Sequence, residues 1–179
     1  MTAQGRVDFA LRDPEIYRPG KIMVRKTADS IIACLDREGL CFDSLSYGIQ
    51  AKAPGHNPKY LLGLLNSKFF KYVHAQLSQN EAKVFAKVLA ENLRELPMPN
   101  LNLKIQKDRV KHDAIVALVD RITMMKQAGE DVTLLENEVD QLVYGLFHLT
   151  PNEIEIIENI ENKTKQTNEA AKTSNVILN

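Results

Sequence analysis

The residues of this sequence that could do chemistry are two cysteines, four histidines and a cluster of carboxylates at Glu136, Glu138 and Asp140. Cys34 and Cys41 flank Asp36-Arg-Glu-Gly39. If that tetrapeptide turns a hairpin, the two thiols face each other on neighbouring strands, where opposed Cα atoms lie about 4.5–5.5 Å apart, within reach of a disulfide. Two reduced, half-buried thiols is the reading a cytosolic location favours. His56, His74, His112 and His148 are scattered and show no metal-ligand spacing. His74 reads as a surface or hydrogen-bonded helix residue rather than a ligand. Glu136, Glu138 and Asp140 spread around a helix, which makes a solvated acidic face the simpler reading than a metal site. Phe69, Phe70 and Phe85 read as core, as do Met124 and Met125. There is no phosphate loop and no dinucleotide fingerprint, and no nucleophile–base pairing is visible. The chemistry expected of this chain is therefore binding.

The charges say more. Net charge is zero, but its distribution is uneven. Residues 1–112 carry 18 Lys and Arg against 11 Asp and Glu, a net of +7. Residues 113–162 carry 2 against 11, a net of −9, and the last seventeen carry 3 against 1, a net of +2. A polyanion suits the basic part and a different partner the acidic part; the competing reading is solvating charge unevenly spread. With 44% hydrophobic and 26% charged residues among 179, the chain holds one ordinary core and an appendage. No apolar run approaches the roughly 18 residues that span a bilayer. Met1-Thr-Ala-Gln-Gly-Arg-Val-Asp8 has no signal-peptide core, so a cytoplasmic location and no membrane partner are expected.

The elements that must position these groups follow from periodicity. Residues 1–20 read as an arm or linker, because Pro14 and Pro19 argue against a long helix. Lys21–Lys26, Ser30–Leu35 and Leu40–Phe42 are short β-rich runs, and Ser44–Gln50 alternates with the period of a half-buried strand. Asn57 caps a helix with Pro58 at its first position. That helix carries Leu61, Leu62, Leu64, Leu65, Phe69, Phe70 and Val73, a core-facing stripe. Val84–Val88 suggests another strand. Pro97 and Pro99 then stop the chain before two striped helices. Ile115, Leu118, Val119, Ile122 and Met125 form one stripe. Val132, Leu135, Val139, Leu142, Val143 and Leu146 form the other, and the pair should pack antiparallel. Thr150-Pro-Asn-Glu153 is a capping box that opens a short third helix. The expectation is an α+β protein. A β-rich domain with one packed core helix spans 21–107, an antiparallel helical hairpin plus short helix spans 108–161, and 162–179 is disordered.

Several segments, in order, resemble one family. Pro19-Gly-Lys-Ile-Met-Val-Arg-Lys-Thr27 is similar to a "KPKILVRQT" strand, and Asp29-Ser-Ile-Ile-Ala-Cys-Leu-Asp36 to an "RIIAxLD" strand. Ser44-Leu-Ser-Tyr47 stands at an "NSLYxI" position. Tyr60-Leu-Leu-Gly-Leu-Leu-Asn-Ser-Lys-Phe-Phe70 resembles "YLLALLNSKL". Leu93-Arg-Glu-Leu-Pro-Met-Pro99 is similar to an "LPxP" turn. Leu134 to Ile154 resembles a closing "LExx(I/V)DxLVYxL" helix. Together these resemble the TaqI-like C-terminal specificity domain of type IIG restriction-modification enzymes and related adenine-specific DNA methyltransferases.

The resemblance implies sequence-specific recognition of double-stranded DNA, with no catalysis in this chain. S-adenosylmethionine would bind a separate methyltransferase domain or subunit, whose Asn/Asp-Pro-Pro-Tyr/Phe motif is missing here; Asn57-Pro-Lys-Tyr60 lacks the second proline. The chain would be either a C-terminal fragment or a separate recognition subunit. The resemblance places Arg25, Lys26, Ser44, Ser46, Tyr47, Gln50, Lys52 and Lys59 in or beside the DNA-reading part, with Lys83 and Lys87 flanking the later strand. Arg25 suits a phosphate or a guanine edge; its alternative is an ion pair with Asp29 or Asp36. Tyr47 is either a core residue with a wet hydroxyl or a stacking platform. Gln50 suits adenine or simply ends a strand, and the lysines serve phosphates or only solvent. A rival reading is a protein-interaction module, including a homo-oligomer, formed through the helical hairpin with no role for DNA.

Overall fold

Ile22 and Val24 are fully buried while Arg25 between strand and turn is exposed, and this alternation builds the centre of a sheet. The computed structural model describes residues 14–42, 44–51, 55, 57–78 and 87–159. Strand β1 (Ile22–Arg25) lies between β2 (Ala33–Leu35) and β3 (Ser46–Ile49), antiparallel to both, in the order β2-β1-β3. Val24 faces Ala33 on one side and Tyr47 on the other, and Arg25 faces Ser46. A short 3-10 turn, Pro14–Tyr17, precedes the sheet.

Two strand expectations need correction. Residues 40–42 form no strand. The residue opposite Cys34 is Met23 rather than Cys41, and both cysteines are free and exposed. The cause is Asp36. Its carboxylate accepts the backbone N–H groups of Glu38, Gly39 and Leu40 at 3.0–3.1 Å, so those donors are taken by a side chain instead of a returning ladder. Asp36 also pairs with Lys21 inside the protein, where Lys21 reaches the Tyr17 carbonyl as well. Burial pushes the Asp36 carboxyl up, but the Lys21 hydrogen bond, the backbone donors and the Lys21 charge outweigh it and hold it below its ordinary value. The expected strand at 84–88 falls mostly outside the described residues. Lys87–Leu89 is not a strand, although the Val88 N–H reaches the Lys26 carbonyl at 2.7 Å.

The leucine-rich stretch forms two helices where its stripe suggests one, α1 (Pro58–Asn66) and α2 (Lys68–Leu77). Ser67 separates them with extended backbone, φ −67 and ψ 153. Its hydroxyl donates to the Leu64 carbonyl at 2.7 Å and accepts from the Phe70 N–H at 3.4 Å, closing one helix and capping the next. Asn57 caps α1 by accepting from the Lys59 N–H at 3.0 Å, as its sequence position indicates.

A short α3 (Ala90–Arg94) leads to the long helix α4 (Gln106–Gln127) and to α5 (Thr133–Leu146). Gly129, at φ 74, ends α4 in a Schellman motif: the Glu130 N–H bonds the Met125 carbonyl and the Gly129 N–H bonds the Lys126 carbonyl. Residues 151–159 form α6. The capping box is present, since Glu153 accepts from the Thr150 N–H at 2.7 Å and from its hydroxyl at 2.8 Å, while Thr150 accepts from the Glu153 N–H at 3.4 Å. Those hydrogen bonds hold the Glu153 carboxyl below its ordinary value.

The hairpin stripes are buried as expected. Ile115, Leu118 and Val119 of α4 and Leu135, Val139 and Val143 of α5 are each at most 8% exposed. They share one core with Ile22 and Val24 of the sheet and Leu64 and Phe70 of the leucine helices. The architecture is α+β, a small antiparallel sheet with six α-helices among the described residues. The arm over 1–13 and the tail over 162–179 lie outside the described residues.

Candidate nucleic-acid interface

Period-two alternation sends Ile22 and Val24 inward and leaves Met23 and Arg25 on the outer face of the sheet. On β3 the residue opposite Arg25 is Ser46, so a guanidinium and a hydroxyl share that face. The turn before β3 presents Ser44, exposed, next to Leu45. Main-chain bonds bring the rest to the same end of the sheet: the Lys26 N–H donates to the Leu45 carbonyl at 2.9 Å, and the Lys26 carbonyl accepts from Val88. The second bond places exposed Lys87 beside Lys26. Arg25 and Ser46 thus share the outer face, and the backbones of Lys26, Ser44 and Lys87 lie near the same end of the sheet.

Beside Arg25 and Ser46 runs a groove of about 370 Å³ lined by Met23, Arg25, Thr27, Ile32, Leu45 and Ser46 among others, with no carboxylate among the described lining residues. Ile32 and Leu45 are more than half exposed there, which puts apolar side chains beside the cation. Arg25 forms no ion pair among the described residues: Asp36, one partner considered for it, is taken by Lys21. Tyr47 points the other way. Its ring packs against the core, and the Lys26 ammonium sits 4.4 Å from its centroid, a cation–π contact that positions the lysine.

The remaining candidates lie elsewhere. Lys59 on α1 pairs with Asp120 on α4 at 2.6 Å, tying two helices together. Gln50 is at the other end of β3, where its amide donates to the Glu15 carbonyl at 2.8 Å. Lys52 and Lys83 lie outside the described residues. Asp140 requires a correction: Glu136 and Glu138 are exposed, but Asp140 is 4% exposed and not part of a solvated face. It accepts the Lys68 N–H at 2.8 Å and lies 3.4 Å from the Lys68 ammonium, which also reaches Glu158 at 2.9 Å. Sequence periodicity does not mark Thr27, Ile32 and Leu45 as groove residues; they lie just outside the paired strands, and the fold brings them to the groove lined by Arg25. Among the described residues no three His, Cys, Asp or Glu side chains are grouped to hold a metal ion, and no helix is long and apolar enough to cross a membrane.

The family model of the TaqI-like C-terminal specificity domain matches residues 4–98, more than half of the chain. The chain belongs to that family. No curated protein matches it. The matched stretch of the specificity domain takes in the sheet, the groove at Arg25 and both leucine-rich helices, and it ends within the Pro97-Met-Pro99 turn. The similarity of Leu134–Ile154 to the family's closing helix lies beyond the matched residues.

Proposed function

We propose that this specificity domain recognises a DNA sequence for an adenine methyltransferase or endonuclease of a restriction-modification system, of the type IIG kind, and carries no catalysis of its own. The observation that carries the reading is the groove at the end of the sheet. Arg25, without an ion pair among the described residues, and Ser46 line it with no carboxylate among the described lining residues, and Ser44, Lys26 and Lys87 lie near the same end of the sheet. Arg25 is the base reader, since a guanidinium forks onto guanine O6 and N7, and Ile32 and Leu45 offer apolar contact of the kind that recognises a thymine methyl. Lys26 and Lys87 hold phosphates, which supply affinity and orientation. S-adenosylmethionine belongs to a methyltransferase domain or subunit that docks on the acidic hairpin, where Leu134 is 78% exposed and Met124 60%.

The test is a duplex titration at low salt, where phosphate contacts count most. Arg25→Ala should cost about 1–3 kcal/mol of binding and relax selection at the base it reads. Changing Glu136 and Glu138 to Ala should leave binding equal or slightly tighter. If the acidic variants weaken binding and Arg25→Ala does not, the groove is not where DNA sits.

A further inference from the structure

The outer strand β2 separates the Arg25 groove from a larger cleft of about 610 Å³, bounded by β2, the α1–α2 joint and the α4–α5 hairpin. Ile32, Ala33 and Cys34 line both concavities, so the two meet over the strand. Among the described residues, the charged side chains lining the cleft are Arg37, Lys68, Lys71, Lys126, Glu136 and Asp140. Both carboxylates are matched from within the cleft, Glu136 by Lys126 at 2.7 Å and Asp140 by Lys68 at 3.4 Å. Arg37 and Lys71 remain, with no ion pair among the described residues. Among the described residues the cleft therefore presents a surplus of positive charge, and it meets the Arg25 groove over β2.

The geometry points to a phosphate-holding flank: we propose that Arg37 and Lys71 bind the sugar-phosphate backbone of the same duplex that Arg25 reads, setting affinity and orientation but not sequence. This rests on the target-recognition reading above. The Arg25 N–H bonds the Ile32 carbonyl, and Arg37 lies five residues further on, at most roughly 16 Å along the strand direction. One DNA strand carries a phosphate per about 3.4 Å of axis, so that distance covers about five nucleotide steps beside the base-reading groove. A peptide strand is the poorer fit. The Asn66 amide accepts the Ala33 N–H at 3.1 Å and donates to the Ala33 carbonyl at 3.0 Å, which closes main-chain groups that an added strand would use.

Fluorescence anisotropy of the 179-residue chain with a labelled mixed-sequence duplex, over about 50–200 mM salt, reads the proposal directly. The Arg37→Ala/Lys71→Ala variant should show a plot of log K against log salt shallower by about 1.8, at about 0.9 per phosphate contact. The sequence it selects from a randomised duplex pool should match that of the unchanged chain. Lys107→Ala, at the opposite end of α4, should leave the slope as it is. An unchanged slope for the double variant, while Arg25→Ala still weakens binding, refutes the flank and leaves target recognition standing. A shifted selected sequence also overturns it, because the two residues would then read bases. An unchanged slope joined to lost association with a methyltransferase polypeptide assigns the cleft to that partner instead. If the unchanged chain binds no duplex at the lowest salt, the flank and the target-recognition reading fall together.

Discussion

Gly63 stands in the middle of α1, where glycine is less favourable than alanine by about 0.8–1.0 kcal/mol, yet a side chain has no room. A Cβ there would lie 2.6 Å from Cγ2 of Ile115 and 3.1 Å from Cγ2 of Val119. The glycine lets α1 approach α4 closely. Gly63→Ala should therefore destabilise despite its better helix propensity, because overpacking costs about 1–3 kcal/mol. A double-mutant cycle isolates the cause. In an Ile115→Ala background the nearest clashing methyl is gone and only the 3.1 Å approach of Val119 is left, so Gly63→Ala should cost clearly less than in the unchanged chain. Equal losses in both backgrounds, measured by urea unfolding, would mean that the close approach is not the reason for glycine. In the sequence, Gly63 is only an interruption in a run of leucines. Its purpose depends on residues of a helix far along the chain.

At the scale of elements, local signals are legible in the sequence and distant ones are not. The Asn57 cap, the Thr150–Glu153 capping box and the stripes of α4 and α5 are encoded by neighbours in the chain, and each appears where the residues indicate. The break at Ser67 is different. Its hydroxyl is a local cap, but the N-terminus of α2 is also fixed by Asp140 of α5, which accepts the Lys68 N–H and faces its ammonium. A carboxylate 72 residues downstream cannot be read from the leucine stripe, and the same separation makes Asp140 look like solvated charge. Likewise the Asp36 side chain takes the donors that a strand at 40–42 needs. Asp140→Ala should lower stability by about 1–3 kcal/mol, the cost of leaving the Lys68 N–H without its acceptor, because the Lys68 ammonium keeps Glu158. Asp140→Asn should lose less, since its amide oxygen still accepts the Lys68 N–H. Glu138→Ala, exposed two residues away, should change melting little. Comparable melting for all three variants would show that the contact does not hold the two helices together.

Over the whole molecule, the +7 and −9 halves share one core, and Lys59–Asp120 and Lys68–Asp140 pair charges across them. Alternation along β1 is enough to put Arg25 on an outer face. It is not enough to exclude Gln50 and Lys59 from that face, because their partners, Glu15 and Asp120, come from distant segments. The hairpin allows the last test, through two adjacent leucines. Leu135 is 5% exposed and packs in the shared core, whereas Leu134 is 78% exposed on a surface of net negative charge. Leu135→Ala should cost about 2–5 kcal/mol, and at about 2–4 °C per kcal/mol for a domain of this size the melting temperature should fall by several degrees or more. Leu134→Ala should leave melting nearly unchanged and weaken reconstitution with a methyltransferase domain, if the hairpin docks that partner through its exposed apolar side chains. Sedimentation of Leu134→Ala tests the competing use of the same face: a shift from dimer to monomer, with reconstitution intact, would assign Leu134 to self-association. No change in melting, reconstitution or sedimentation would leave Leu134 as an isolated surface leucine, and the docking face would have to be sought elsewhere on the molecule.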